Sequence, residues 1–404
     1  MNTVMNEPVG KAVAPELLEK VKETAAKPRE RSESMPPGIY TDPAYMEFEQ
    51  KEVFQKDWIS LCHVSQVAKT GDFVRADVGG EPMLVMRGKD DQIRVVSRVC
   101  RHRGMDVMPA GFGHPEEGNK RVILCPYHLW SYDLTGKMIG APEMQEAEGF
   151  DRSEVCLHNY RSEIWEGFVF VTLSDDIPSI SEKYSRFKDE FVGKWDMGNA
   201  KLVWSQHWEC KFNWKILLEN FMEAYHHLGA HMKTLEPFLP AKGCWTEPFD
   251  PEFSAMHLPL KKEMQEEIKA SGDAGTPFPT FPNLDGEDLL EWGVYLGFPN
   301  FLLFTAPDRV YWYRLLPTGP ETCTLMTTMI VPSAALEMEN YEEVKAKEVA
   351  GGIAFHMEDM EVCEATQNGM RSVSYKQGRL SHLEEPIWHF QKYMAEKIKA
   401  AESR

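Results

Sequence analysis

Cys100-Arg101-His102-Arg103-Gly104 and Cys125-Pro126-Tyr127-His128 are the two stretches that decide the reading of this chain. Each couples one thiol to one imidazole. A two-iron, two-sulfide cluster with two thiolates on one iron and two imidazoles on the other needs one Cys and one His from each of two loops, and these couplets supply that set. A structural zinc site is the rival, but it usually takes two Cys from one loop and two His from a following helix, whereas the order here is Cys, His, Cys, His. Gly104 and Pro126 are residues that tight loops use. Four unrelated residues form the third alternative.

The pattern resembles the Rieske domain of the ring-hydroxylating oxygenases, whose motif runs Cys-x-His-Arg-Gly, a spacer, then Cys-x-x-His with a Trp soon after. Cys100 to Gly104 and Cys125 to Trp130 match it. Two departures stand out: the spacer, with Gly111, Gly113, His114, Pro115 and Gly118, is longer than usual, and Leu129 stands where many members have Gly. A longer surface loop adds little closure entropy, so the cluster is expected to survive both, with His114 in solvent.

At 404 residues the chain has material for two or three domains. No apolar run approaches membrane-spanning length, and Met1 to Ala14 lacks the basic-then-apolar order of a secretory signal, so no membrane partner is expected. Beyond the two couplets, Cys62, Cys156, Cys210, Cys244, Cys323 and Cys363 show no disulfide-like pattern, which suits a reducing, cytoplasmic location. A formal charge of -19 argues against nucleic acid as a partner. The local basic group Arg101, Arg103, Lys120, Arg121 and Lys137 either steers an acidic electron donor toward the imidazoles or is ordinary solvated charge.

Along the chain, residues 1–41 read as a polar, partly disordered segment with a helix near Pro15 to Ala26. Asp42-Pro43 opens a second helix as N-cap and first-turn proline, running toward Trp58. Alternating runs at Phe73 to Val78, Pro82 to Arg87 and Ile93 to Val99, punctuated by Gly79-Gly80 and Asp90-Asp91, predict antiparallel hairpins. Residues 42–174 thus form a small all-β domain with its preceding helix, and 175–404 a second, α+β domain. There the patterns predict a strand at Lys201 to Cys210 and a helix from Asn213 to His227. Strands follow at Val294 to Thr305, Arg309 to Leu316 and Thr322 to Val331, then helices from Tyr341 to Gln367 and from Pro386 on. Residues 236–290, rich in Pro, Gly and charge, read as an excursion that could cover a pocket. With the resemblance, the fold class is α+β: an antiparallel all-β Rieske domain plus a helix-grip (START-like) catalytic domain built on an antiparallel sheet.

The second constellation is Asn213-Trp214-Lys215, Glu219-Asn220, Glu223, Tyr225, His226 and His231. Non-haem iron oxygenases use two imidazoles and one carboxylate, leaving open positions for dioxygen and substrate. Five residues of ideal helix turn by roughly 500°, which leaves His226 and His231 about 140° apart, so the helix must loosen. Gly229 is the residue expected to allow it. His227 is expected to point elsewhere. Glu223, one helical turn before His226, can accept an imidazole proton and hold the ligand's tautomer.

For the third ligand, Glu358, Glu361 and Glu364 form a row typical of a solvated face. Asp359, with Phe355 and Val362 as neighbours on its stripe, is the carboxylate expected inside, with Glu358 in reserve. The resemblance supports Asp359, since the family's ligand aspartate lies shortly before a Glu-x-x-Gln stretch like Glu364 to Gln367. It also implies that the residue matching Glu223, usually Asp, bridges the cluster of one subunit to the iron of the next, and that Asn220 supports the site.

What the resemblance implies as a whole is a terminal oxygenase with a [2Fe-2S] cluster on Cys100, His102, Cys125 and His128 and mononuclear Fe(II) on His226, His231 and Asp359. Electrons would come from NAD(P)H through a separate ferredoxin or reductase, with O2 as co-substrate and a head-to-tail homotrimer as the assembly. The aromatic residues between Gly293 and Ile330 suit either a pocket wall or plain core. The resemblance to single-subunit herbicide-degrading members leans toward monooxygenation of a neutral, drug-sized organic molecule by hydroxylation or oxidative N- or O-dealkylation. Betaine-like substrates and cis-dihydroxylation of an aromatic ring are alternatives. An electron carrier with an inert second domain and a zinc-stabilised binding protein are the rivals from other classes.

Overall fold

The computed structural model describes residues 12–404. The start of the expected 1–41 segment, through residue 11, lies outside the described residues. Contacts divide the chain into a smaller unit, Phe54–Ser185 with Met197–Leu202, and a larger one made of the segment up to Val53, Arg186–Asp196 and Val203–Arg404. No described helix is long and apolar enough to cross a membrane.

The smaller unit is all-antiparallel β. Its strands are β1 (Ile59–His63), β2 (Asp72–Val78), β3 (Glu81–Arg87), β4 (Ile93–Ser97), β5 (Glu117–Asn119), β6 (Ile123–Leu124), β7 (Ser131–Tyr132), β8 (Met138–Gly140), β9 (Asn159–Trp165) and β10 (Phe168–Thr172). One sheet runs β1-β10-β9-β4-β3-β2-β5 and a small one β6-β7-β8. The alternating runs read from the sequence are β2 to β4, whose inward residues Phe73, Leu84, Met86 and Val96 form a core with Val107, Ile123, Trp130 and Tyr132. Cys100 and Cys125 are buried within that same core.

The larger unit is a helix-backed sheet in the order β11-β17-β16-β15-β14-β13-β12. Its strands are β11 (Lys201–Cys210), β12 (Trp245–Thr246), β13 (Phe253–Pro259), β14 (Glu291–Gly297), β15 (Phe301–Ala306), β16 (Arg309–Gly319) and β17 (Thr322–Val331). Two expectations change here. The run from Val294 to Thr305 is two strands, broken at Phe298-Pro299-Asn300, because proline has no N–H to continue a ladder. The excursion at 236–290 contributes β13, an interior strand; covered on both faces, Phe253 to Leu258 show no polar alternation to betray it.

Register sorts the sheet's two faces. Met256 pairs with Val294, Val294 with Phe304, and Phe304 with Tyr311, so these share one face. Against it lie α3 (Trp214–Phe221) and α4 (Tyr341–Met370), after α1 (Pro15–Ala25) and α2 (Pro43–Glu49) earlier in the chain and before α5 (Glu385–Glu402). Phe221 meets Tyr313 at 4.9 Å between ring centroids, and Phe355 meets Tyr311 at 6.0 Å. Asn213 caps α3, its side chain accepting from Lys215 N at 2.9 Å, and the buried Gln367 of α4 accepts from Asn213 N at 2.7 Å.

The N-terminal segment departs from its polar, partly disordered reading over the described residues. Val21, Thr24 and Ala25 of α1 are buried, and Lys22 meets Glu402 of α5 at 2.8 Å. α2 is capped by Asp42 as expected, but it ends in a π-type turn at Phe54 rather than at Trp58. It is grouped with the larger unit rather than with the β domain. The cause is Glu49, whose carboxylate lies 2.7 Å from Lys215 Nζ with both side chains wholly buried, and which also accepts from Trp214 Nε1 at 3.1 Å. Burial pushes the Glu49 carboxyl up and the Lys215 ammonium down, each opposed by its partner's charge. Removing one member strands the other in the core. Lys215→Met is therefore expected to cost about 3–5 kcal/mol in denaturant unfolding, and Lys215→Met with Glu49→Leu to recover most of it.

Candidate functional site

The two couplets sit on loops that hold thiols inward and imidazoles outward. Cys100 N donates to Met105 O at 2.8 Å and Gly104 N to Cys100 O at 3.0 Å, a turn that requires the left-handed conformation Gly104 adopts, φ 73°. Cys125 N donates to Trp130 O at 2.9 Å and Leu129 N to Cys125 O at 3.1 Å. Both cysteines are free thiols in the core, whereas His102 is exposed and stacks on Trp130 at 4.5 Å. The Nδ1 atoms of His102 and His128 converge to 3.1 Å. Two buried thiols and two converging ring nitrogens are the donor set a mixed-ligand iron–sulfur cluster takes, so the residues fit that group.

Tyr132 was not singled out from the sequence. Its hydroxyl accepts from Arg101 N at 3.2 Å, which leaves its proton to donate to Cys100 Sγ, also at 3.2 Å. Burial, reinforced by the Cys100 thiol, pushes the phenol up and keeps that proton in place. Hydrogen bonds to cluster sulfurs are one of the levers that set a cluster's potential. His114 is half-buried rather than fully exposed.

In the larger unit α3 stops at Phe221, and His226 falls in a short 3-10 turn, Tyr225–Leu228. The loosening expected at Gly229 therefore occurs earlier, across Met222 to Ala224. Gly229 adopts φ -115° and ψ -71°, and a Cβ there would meet only His226 O at an ordinary 3.9 Å, so nothing in its geometry requires glycine. With the helix broken, His226, His231 and Asp359 each offer a ligand atom, all within 4.8 Å of one another. Asp359 Oδ1 lies 2.9 Å from His231 Nε2 and 3.5 Å from His226 Nε2.

Both imidazoles are held from behind. Glu223 Oε1 is 2.8 Å from His226 Nδ1, and its Oε2 accepts from His226 N at 3.0 Å. Glu358 Oε2 is 2.7 Å from His231 Nδ1 and accepts from Thr234 Oγ1 at 2.7 Å. A carboxylate at Nδ1 keeps the proton there and leaves Nε2 as the free lone pair. Burial opposes a charged His231, but Asp359 and Glu358 outweigh it and hold its pKa above the ordinary value. Two imidazole lone pairs and a carboxylate on one side of a small space are a donor set that fits one divalent metal ion.

Two details of the sequence argument change. Glu358 does not share the solvated row with the exposed Glu361 and Glu364, because it backs His231. Val362 is 37 % exposed, so the stripe that carries Asp359 inward is His356, Met360, Cys363 and Gln367 instead. His227, expected elsewhere, borders the pocket, with Nδ1 tied to Leu239 O at 3.1 Å; burial pushes it down to about 4. The pocket beside the triad is a cavity of about 40 Å³ walled by Phe221, Leu258, Val294, Phe304, Tyr313 and Phe355, with Asn220 and Glu223 at its edge.

Comparison with known proteins follows the same division. The Rieske [2Fe-2S] domain profile matches residues 57–160, and the ring hydroxylating alpha subunit (catalytic domain) profile matches 197–400. The glycine betaine monooxygenase oxygenase subunit of Pseudomonas aeruginosa (strain UCBPP-PA14) is 26% identical over 382 residues, 87% of this chain and 86% of the relative. The biphenyl 2,3-dioxygenase subunit alpha of Rhodococcus jostii (strain RHA1) is 31% identical over 217 residues, 52% of this chain and 46% of the relative. A quaternary ammonium Rieske monooxygenase solved with L-carnitine shares the fold, with a TM-score of 0.76 at 22% identity over 96% of this chain and 99% of its own.

Leu129 explains why glycine is common at its position. It adopts φ 62° on the second cluster loop, a conformation costly for a side-chain-bearing residue, and is 55 % exposed. Relief of that strain exceeds the entropy a glycine adds to the unfolded chain, so Leu129→Gly is expected to stabilise the smaller unit by about 0.5–1 kcal/mol, read from denaturant midpoints.

Proposed function

The chain belongs to the ring-hydroxylating oxygenase alpha-subunit family and is an oxidoreductase with a Rieske [2Fe-2S] domain; from that premise we propose that it monooxygenates a small organic substrate, with an N-methyl group of a quaternary ammonium compound as the favoured target. Cys100, His102, Cys125 and His128 would hold the cluster, and His226, His231 and Asp359 the mononuclear iron. When bound, the cluster supplies electrons singly and the iron activates dioxygen. Electrons would come from NAD(P)H through a ferredoxin or reductase. The exposed Arg101, Arg103, Arg121 and Lys137 around the cluster loops suit an acidic donor.

The observation that carries this reading is the convergence of His226, His231 and Asp359 beside an aromatic-walled cavity. Glu223 and Glu358 hold the Nδ1 protons, so both rings present the same nitrogen to one point. Phe221, Phe304, Tyr313 and Phe355 wall the space beside the histidines, and such rings can face an ammonium group. The names of the betaine-oxidising relatives favour this target over the neutral molecule toward which the sequence leaned. Dihydroxylation of an aromatic ring is the second reading, supported by the 31% identity to a biphenyl dioxygenase subunit. In the homotrimer that the family resemblance implies, Glu223 would stand between one chain's iron and its neighbour's cluster.

Oxygen uptake and product mass under 18O2, scored across quaternary ammonium and aromatic panels, are expected to show an unlabelled amine one methyl group lighter, with one labelled atom leaving in formaldehyde, trapped before it exchanges, and the other in water; two labels retained in the product would select dihydroxylation. Asp359→Ala is expected to keep the cluster's visible absorption while losing mononuclear iron and turnover, and retained turnover would remove Asp359 from the ligands. Glu358→Gln is expected to weaken metal binding by about 10–100-fold in chelator competition, since it loosens the hold on His231.

A further inference from the structure

The sheet of the larger unit carries a second cavity on the face turned away from the histidines. Leu258 and Val294 border the histidine pocket, whereas His257, Gly293 and Tyr295 border a separate cavity of about 130 Å³ that shares none of its lining residues. Across β13 and β14 His257 pairs with Gly293, so strand alternation turns this set the opposite way from Leu258 and Val294. A Cβ on Gly293 would come within 2.5 Å of the Tyr295 ring, so the missing side chain is what lets that phenol fold back along its own strand. Phe191 and Trp195, from the segment Arg186–Asp196, close the cavity with their rings each 6.1 Å from that of Tyr295.

The charges around it do not balance. Two of the four carboxylates at the rim are met by cations, Glu190 by Arg186 and Asp288 by Lys194. Glu291 and Glu247 form their ion pairs with one shared imidazole, Glu291 Oε1 lying 2.6 Å from His257 Nδ1 and Glu247 Oε1 3.3 Å from Nε2. His257 is only 9 % exposed, yet its Nε2 makes no hydrogen bond, because the approach to Glu247 lacks the alignment one needs. One imidazole carries at most one positive charge, so this pair of carboxylates keeps a net negative charge in a cavity that Tyr295 and Phe191 also line, while Lys194 Nζ already lies over the Trp195 ring at 5.7 Å. Burial first, and then the charge of Glu291, pushes the Tyr295 phenol up.

Carboxylates beside aromatic faces in a small cavity select a soft, weakly hydrated cation. A chelated metal ion fits poorly, since the two ring nitrogens of His257 point to different carboxylates. At about 130 Å³ the cavity offers several times the roughly 10–15 Å³ that the centre of one water needs, room for a small organic ammonium ion. We propose that this cavity binds a small organic ammonium ion at a site distinct from the histidine pocket.

The test uses the metal-loaded enzyme carrying Phe304→Trp, which fills the histidine pocket and removes any contribution from it. Calorimetric titration with tetramethylammonium chloride is expected to give saturable binding, and 2,2-dimethylpropan-1-ol, a neutral molecule of similar shape, none. Adding Glu247→Gln and Glu291→Gln is expected to weaken the affinity roughly tenfold or more. Gly293→Ala, which drives the Tyr295 ring out of its place, is expected to abolish binding while the cluster absorption stays unchanged. No saturable binding in the Phe304→Trp enzyme, equal binding of the alcohol, displacement by Mg²⁺ or Ca²⁺, or an affinity indifferent to both sets of substitutions would each overturn the proposal. The reading of the histidine pocket stands or falls separately, on product formation.

Discussion

The end of α3 at Phe221 is the constraint on which the larger unit's chemistry depends. Had the helix continued through His231, five residues would have turned by roughly 500° and left the two histidines facing different ways. Because it stops, His226 and His231 approach with ring centroids 4.8 Å apart. What stops it is local and electrostatic. Glu223 takes the backbone N–H of His226 into its own carboxylate, capping the new turn with the same group that holds the imidazole. The helix end and the placement of His226 are thus one interaction, held in register by the Asn213 cap and Gln367 at the other end of α3.

A second constraint is where charge is allowed to be. In the smaller unit the thiols lie in the apolar core, His102 lies at the surface and His128 is half-buried beside it. The side of such a cluster that changes charge and proton content therefore meets solvent and partners, and the thiolate side is shielded. In the larger unit the wholly buried pair Glu49–Lys215 ties α2 to α3, with Tyr40 donating to Glu219 at 2.7 Å one turn along. Burial pushes the Glu219 carboxyl up to about 7, Tyr40 and Lys215 only partly opposing it. The face of α3 away from the histidine pocket is therefore a polar network in a dry core. It is sensitive to loss of any one member and demanding of correct geometry.

Much of this was legible in the sequence where a residue's chemistry is local. The Cys/His couplets, the hairpins of β2 to β4, the strands β11 and β17 and the cap at Asp42 all rest on neighbours within a few positions. What was not legible rests on distant partners. β13 has no alternation because both its faces are covered, and Glu358 looks like surface charge until His231, far away in sequence, arrives beside it. Tyr132 is an ordinary strand residue until the Arg101 amide accounts for one side of its hydroxyl. Gly229 misled for the opposite reason: its flexibility is real, but the chain had already turned.

Glu358 and Asp359 show how finely the outcome depends on helix phase. One residue of helix is a rotation of about 100°, so neighbouring carboxylates on α4 reach opposite sides of the same imidazole. Asp359 meets His231 at Nε2 and Glu358 meets it at Nδ1. Side-chain length sorts them further, since the shorter Asp stays close to the helix on the pocket side and the longer Glu reaches around the ring to its far edge. Exchanging their identities would give the ligand position a longer arm and leave the rear nitrogen beyond reach. The order Glu-Asp, and not merely the presence of two acids, is what lets this stretch of α4 meet both nitrogens of His231.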